Sequence, residues 1–125
     1  MGLRSYQDLI GWKKGIDLVT DVYRLTRNLP NAELYGLTNQ MRRAAVSIPS
    51  NIAEGQGRLS TGEFKQFLGH ARGSLYELES QIRIARNLQY LKADETGPLL
   101  DRIDEMGRIL NGLLKSLDRS PATSH

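Results

Sequence analysis

The sequence predicts an all-α domain, an antiparallel up-down four-helix bundle. Three observations carry this. Apolar residues recur at helical spacing in four separate segments, no segment alternates with the period of a strand, and the connections are short. A chain of 125 residues is one domain, and four helices of this length enclose a core without staples. There is no cysteine, which excludes disulfides and thiolate metal sites and makes a reducing cytoplasm the expected compartment. No apolar run approaches a membrane span, and residues 1–8 lack the core of a signal peptide. The bundle is expected over residues 1–119, with 120–125 as a disordered tail.

Helix one is expected from Ser5 or Tyr6 to Asn28. Leu9, Trp12, Ile16, Val19 and Tyr23 form its main stripe, and Leu18, Val22, Leu25 and Leu29 a second one beside it. A surface helix usually buries a single stripe, so the excess points to contact with another subunit or to a helix set deep in its own bundle. Lys13, Lys14, Asp17, Asp21 and Arg24 fill the remaining face as a solvated set of charge pairs. Pro30 ends the helix, and Asn31 is placed to cap a short turn into the next.

The stretch over residues 37–58 carries helix two, which is expected to end at Glu54–Gly57. Leu37, Met41, Ala44, Ala45, Ile48 and Ile52 share one face, and Arg42, Val46, Pro49 and Ala53 form a shallow strip on the back. Between them runs a polar row: Gln40, Arg43, Ser47, Asn51, Glu54 and Arg58. Pro49 deletes one helical hydrogen bond and costs about 3 kcal/mol. Burying Leu37, Met41, Ile48 and Ile52 returns roughly 1.5–3 kcal/mol each. The apolar face keeps its phase across Pro49, so a kinked helix that continues is expected there. The structural reading of Gln40, Arg43, Ser47, Asn51 and Glu54 is a boundary row that ties helices together; the functional reading lines a pocket. Arg43 and Glu54 lie too far apart to pair along one helix and need partners elsewhere. Gly55 or Gly57 is placed to take a left-handed cap position.

Helix three follows a capping box, Ser60 with Glu63. Phe64, Phe67, Leu68, Ala71, Leu75, Leu78, Ile82 and Ala85 step by three and four. Lys65, Arg72, Tyr76 and Arg83 form a lane on its flank with Arg86 nearby, and Gly69 and Gly73 offer a close approach to another backbone. Helix four starts near Thr96 and Pro98 and carries Leu99, Leu100, Ile103, Met106, Ile109, Leu110, Leu113, Leu114 and Leu117.

No catalytic set emerges. His70 and His125 are the only histidines, and His70 has no His or carboxylate at i±4, so neither a metal site nor a cofactor is expected. Ser47, Ser50 and Ser74 have no base beside them and are explained as small packing residues or hydrogen-bonders. The Gly55–Arg58 turn is the best anion-binding candidate, although a glycine cap explains it as well.

Charge is uneven. Residues 1–92 hold thirteen Lys or Arg against eight Asp or Glu, a balance of +5, and residues 93–125 hold four against six, a balance of −2. A basic body draws polyanions to one side, and an ordinary solvated surface carries the same imbalance. Cations spaced along a helix edge follow a phosphate backbone, and Tyr76 offers a ring for a base to stack on. Arg58, Lys65, Arg72, Tyr76, Arg83 and Arg86 are therefore the candidate nucleic-acid contacts.

The stretch Glu-Leu-Tyr-Gly-Leu-Thr-Asn-Gln-Met-Arg-Arg-Ala-Ala-Val-Ser-Ile-Pro-Ser-Asn-Ile-Ala-Glu-Gly-Gln-Gly-Arg over residues 33–58 closely resembles the signature of the bacterial rRNA intervening-sequence protein family, also called the four-helix-bundle protein family. Glu63, Phe64, Phe67, Leu68, Ala71, Leu75, Glu77 and Glu79 look like that family's third helix. The resemblance extends from about Asp8 to Leu117. It implies an antiparallel four-helix bundle assembled into a homopentamer with a central channel, with no catalytic residues to carry over. It also implies kinship with retroelement accessory proteins that bind nucleic acid and a reverse transcriptase. The excess apolar arc of helix one and the back strip of helix two would then be subunit contacts. The resulting expectation is a non-enzymatic homo-oligomer that binds RNA, DNA or a nucleic-acid-processing protein through basic edges. The alternative is a protein-interaction scaffold without nucleic-acid binding.

Overall fold

The structure, a computed structural model, describes residues 6–119. Four helices account for most of it: α1 (Tyr6–Thr26), α2 (Asn39–Gln56), α3 (Thr61–Asn87) and α4 (Ala93–Arg119). Among the described residues there is no strand. The expected tail, residues 120–125, lies outside them.

Cross-helix pairs fix the topology, because numbers rise on one helix as they fall on its neighbour. Between α1 and α2, Gly15 lies against Pro49 and Thr26 bonds Arg42. Between α2 and α3, Ser47 meets Ser74 and Gly55 lies against Phe64. Arg72 with Asn111 and Lys65 with Asp118 join α3 to α4. Lys14 with Glu105 and Asp21 with Arg102 close the ring from α1 to α4. Every neighbouring pair is antiparallel, an up-down bundle.

The core is built from the predicted faces of α2, α3 and α4. Met41, Ala44, Ala45, Ile48 and Ile52 meet Leu68, Leu75, Leu78 and Ile82, and Ile103, Met106 and Leu110 complete the interior. α2 runs through Pro49 as one helix, and Pro49 itself is buried. The ring fills the space beside Gly15, where an added Cβ would lie 3.2 Å from Pro49 Cβ. Gly11 plays the same part toward α4, with Ile109 Cγ2 at 3.3 Å from its hypothetical Cβ.

Several expectations are corrected. On α1 the second stripe is the core stripe: Leu18, Val22 and Leu29 are buried, whereas Ile16 and Tyr23 of the main stripe stay exposed. α1 ends at Thr26 rather than Asn28, and the chain leaves through single turns in which Arg27, Asn28 and Leu29 N–H donate to the carbonyls of Arg24, Leu25 and Thr26. The back strip of α2 is not free: Arg42 and Pro49 face α1 within the subunit. Gly69 and Gly73 face open space, and the close approaches, mostly of side chains, belong to Gly11, Gly15 and Gly55.

No described glycine has a positive φ, so neither Gly55 nor Gly57 is a left-handed cap. Gly57 is right-handed at φ −81°, and Gly55 is required because the Phe64 ring occupies the place of a side chain. The left-handed residue is Gln89, at φ 63°. Tyr90 N–H donates to the Ala85 carbonyl and Gln89 N–H to the Arg86 carbonyl, both at 2.9 Å, which is the Schellman pattern closing α3.

At the start of α3 the Ser60 half of the predicted capping box forms, with Ser60 Oγ accepting from Glu63 N–H at 3.1 Å, while Glu63 Oε1 accepts from the Ser60 hydroxyl at 3.1 Å rather than from its backbone N–H. α4 begins earlier than expected, at Ala93, and holds Pro98 inside its second turn. Its cap explains this: Glu95 reaches back to accept from Lys92 N–H at 2.9 Å. The entrance to α2 is irregular, with a 3-10 turn at Asn31–Glu33 and a π turn at Leu34–Thr38 in which Gly36 is non-helical. Asn31 supplies no cap there; Glu33 does, accepting from Leu37 N–H at 3.2 Å.

Candidate nucleic-acid interface

The α3 lane presents its side chains on the outside of the bundle, and most of them already have partners. Lys65 pairs with Asp118 and Arg72 donates to Asn111 Oδ1 at 2.9 Å, so both bridge to α4. Arg83 grips Glu79 one turn back through Nε and Nη2, at 3.2 and 3.1 Å. Arg58, at the α2–α3 turn, pairs with Glu54 at 2.9 Å and lies 4.6 Å from the Phe67 ring centre. Tyr76 is half exposed and Arg86 is exposed; Arg86 has no side-chain partner among the described residues. These carboxylate pairs all face solvent, where an ion pair is worth about 0–1 kcal/mol. Opening any one of these pairs therefore costs little.

The polar row of α2 divides. Ser47 and Ser74 share a 2.8 Å hydrogen bond across α2 and α3, and Asn51 Nδ2 donates to both the carbonyl and the hydroxyl of Ser47 at 2.8 Å. This knot of three side chains is a helix tie. Gln40 and Arg43 are exposed beyond it, and Glu54 finds Arg58 rather than a residue of another helix. The turn after α2 is not an open phosphate cradle, since Gly55 and Gln56 are buried. His70 is exposed and stands edge-on to Phe67 at 5.9 Å. Among the described residues no three metal-ligating side chains come together.

Sequence reasoning missed two features. Arg42 donates through Nε to Thr26 Oγ1 at 2.9 Å and lies 4.7 Å over the Tyr23 ring, fastening α2 to α1. Glu33 and Tyr90, from two different connections, meet at 3.0 Å. That hydrogen bond, with partial burial and the nearby negative charge, raises the Tyr90 pKa above the ordinary phenol value. A tyrosine in the short connection after α3 was the available signal, but its partner was not readable from spacing.

This topology and surface can be set against known proteins. The sequence profile of the 23S rRNA-intervening sequence proteins matches residues 7–112. The chain belongs to that family. The match takes in α1, α2, α3 and most of α4. Among solved structures, the chain is similar to a protein of unknown function from the S23 ribosomal protein family of Bacteroides thetaiotaomicron VPI-5482. The TM-score is 0.81 at 20% identity, covering 87% of this chain and 98% of that one. At that identity the likeness concerns the fold. No curated protein matches. No helix among the described residues of this family member is long and apolar enough to cross a membrane.

Proposed function

We propose that this protein is a non-enzymatic, homo-oligomeric helical bundle that binds nucleic acid, or a nucleic-acid-processing partner, through its basic edges. The observation that carries this is the run of solvent-facing cations from Arg58 through Lys65, Arg72 and Arg83 to Arg86, with the Tyr76 ring 52% exposed among them. Membership of an rRNA-intervening sequence family supports the same reading. Repetition of the edge around an oligomer, a pentamer in our reading, turns weak single contacts into useful affinity. The exposed apolar residues of α1, Ile16 and Tyr23, are the subunit contacts in this scheme, and Pro49, which leaves the Ala45 carbonyl without its helical donor, is the bend in α2.

A second reading is favoured by the carboxylates already paired with Arg58, Lys65 and Arg83. In it the charges keep a protein-interaction scaffold soluble. Titration of labelled RNA and DNA at low and rising salt, together with a solution mass, separates the two. The electrostatic reading expects binding that weakens steeply with salt and is lost when Lys65, Arg72 and Arg83 are reversed to Glu. Retained partner capture without any nucleic-acid affinity would establish the scaffold.

A further inference from the structure

The bundle end that holds the α1–α2 and α3–α4 connections carries a second set of groups suited to the same ligand class. Tyr35 is 91% exposed, against 52% for Tyr76 in the α3 lane. It sits in the π turn Leu34–Thr38, and that turn is braced. The Glu33 carboxylate takes the Leu37 N–H at 3.2 Å through Oε1 and the Tyr90 hydroxyl at 3.0 Å through Oε2. Asn28 Nδ2 donates to Glu95 at 2.7 Å and ties the α1–α2 connection to the first turn of α4. An aromatic ring is thus held out in water on a turn fixed at both sides, so little ordering is needed when something stacks on it.

The cations at this end differ from those of the lane. Arg27 follows α1, Arg86 stands in the last turn of α3, and Lys92 precedes α4. All three are exposed, and none has a side-chain partner among the described residues. A phosphate meets them without displacing a carboxylate. Arg86 also belongs to the lane, so the two surfaces are continuous there.

We infer that this end is a single-strand platform: Tyr35 stacks on an unpaired base while Arg27, Arg86 and Lys92 take the flanking phosphates. The inference rests on the nucleic-acid reading above and adds strandedness and place. Stacking requires a base whose face is free, which a duplex offers only at its ends. No helix of the end projects as a reading element for a groove; the surface is made of turns.

The test is fluorescence anisotropy on the full chain with labelled oligouridine, oligothymidine and a mixed-sequence duplex. The single strands are expected to bind more tightly than the duplex. Tyr35→Ala should weaken single-strand binding roughly tenfold, and Tyr35→Trp should preserve it. Reversing Arg27 or Lys92 to Glu should reduce the salt slope by about 0.7 each. These side chains are exposed, so circular dichroism and melting should match the parent protein. Should the parent bind while Tyr35→Ala binds equally well, or should the duplex bind as tightly as the single strands, the platform is wrong and the lane alone serves. Should the parent bind none of the three, the nucleic-acid reading itself falls.

Discussion

The Tyr90 hydroxyl donates to Glu33 Oε2 at 3.0 Å, joining the connection after α3 to the turn that opens α2. The other oxygen of the same carboxylate receives Leu37 N–H at 3.2 Å. One side chain therefore caps a helix and clamps two connections. Gly36 is part of this device, since a Cβ there would stand 2.8 Å from Glu33 Oε1.

The clamp predicts a pH dependence. The hydrogen bond to Glu33 first, then burial, then the carboxylate's charge raise the Tyr90 pKa above its ordinary 10.0. A raised folded-state pKa means that the stabilisation is fully present below the unfolded value and disappears as pH climbs through the folded one. Urea unfolding at stepped pH should show parent stability declining above about pH 10. Tyr90→Phe should be less stable at neutral pH and show a shallower alkaline decline. Superimposable profiles would mean the bond contributes nothing.

A second prediction concerns Gln89. A side chain at φ 63° costs about 1–2 kcal/mol, and glycine there gives back roughly 0.5–1 kcal/mol in chain entropy. Gln89→Gly should stabilise the protein by about 0.5–1 kcal/mol, read as a higher urea midpoint with an unchanged m-value. A lower midpoint would show that the Gln side chain itself supports the turn.

The glycines predict opposite signs at different sites. At Gly55 a Cβ would come within 2.7 Å of Phe64 Cδ1 and 3.0 Å of Phe67 Cβ. Gly55→Ala should therefore cost about 1–3 kcal/mol through overpacking. Gly69 and Gly73 have nothing within 4 Å of such a Cβ. Gly69→Ala and Gly73→Ala should each gain up to about 1 kcal/mol from helix propensity. Thermal melts of the three variants check the assignment of close approaches to Gly55 rather than to the α3 pair.

How far the sequence reveals this molecule follows from the range of each interaction. Helix number, order and the core faces of α2, α3 and α4 were legible because a stripe of Met41, Ile48 and Ile52, or of Leu68, Leu75 and Ile82, is a local periodic signal. The Ser60–Glu63 cap was legible because its spacing is fixed. α1 misled because it has two apolar stripes, and only packing decides that Leu18 and Val22 go inside while Ile16 does not. The left-handed cap misled because glycine is the usual occupant, whereas Gln89 is held there by hydrogen bonds of the Schellman turn. In the candidate interface the cations were visible, but their partners Asp118 and Asn111 lie on another helix. Which charges are spent was therefore unreadable before the fold. Tyr35 escaped notice because its exposure is a property of an irregular turn.

The last prediction addresses assembly. Ile16 is 41% exposed, Tyr23 40% and Val46 40%, on the seam where α1 meets α2 between the Gly15–Pro49 and Tyr23–Arg42 contacts. Within one subunit each of these side chains already buries more than half of its surface. Ile16→Glu and Val46→Glu should leave the helical signal intact and cost an isolated subunit about 1–2 kcal/mol each in lost apolar burial. At the centre of a subunit interface each would place a charge in an apolar contact, costing about 2 kcal/mol or more, roughly a thirtyfold weaker association apiece. Light scattering across a dilution series should show the parent as an oligomer and the double variant as a folded monomer. An unchanged mass for the double variant would place the subunit contact elsewhere, and a monomeric parent would remove the oligomer and, with it, the repeated cationic edge.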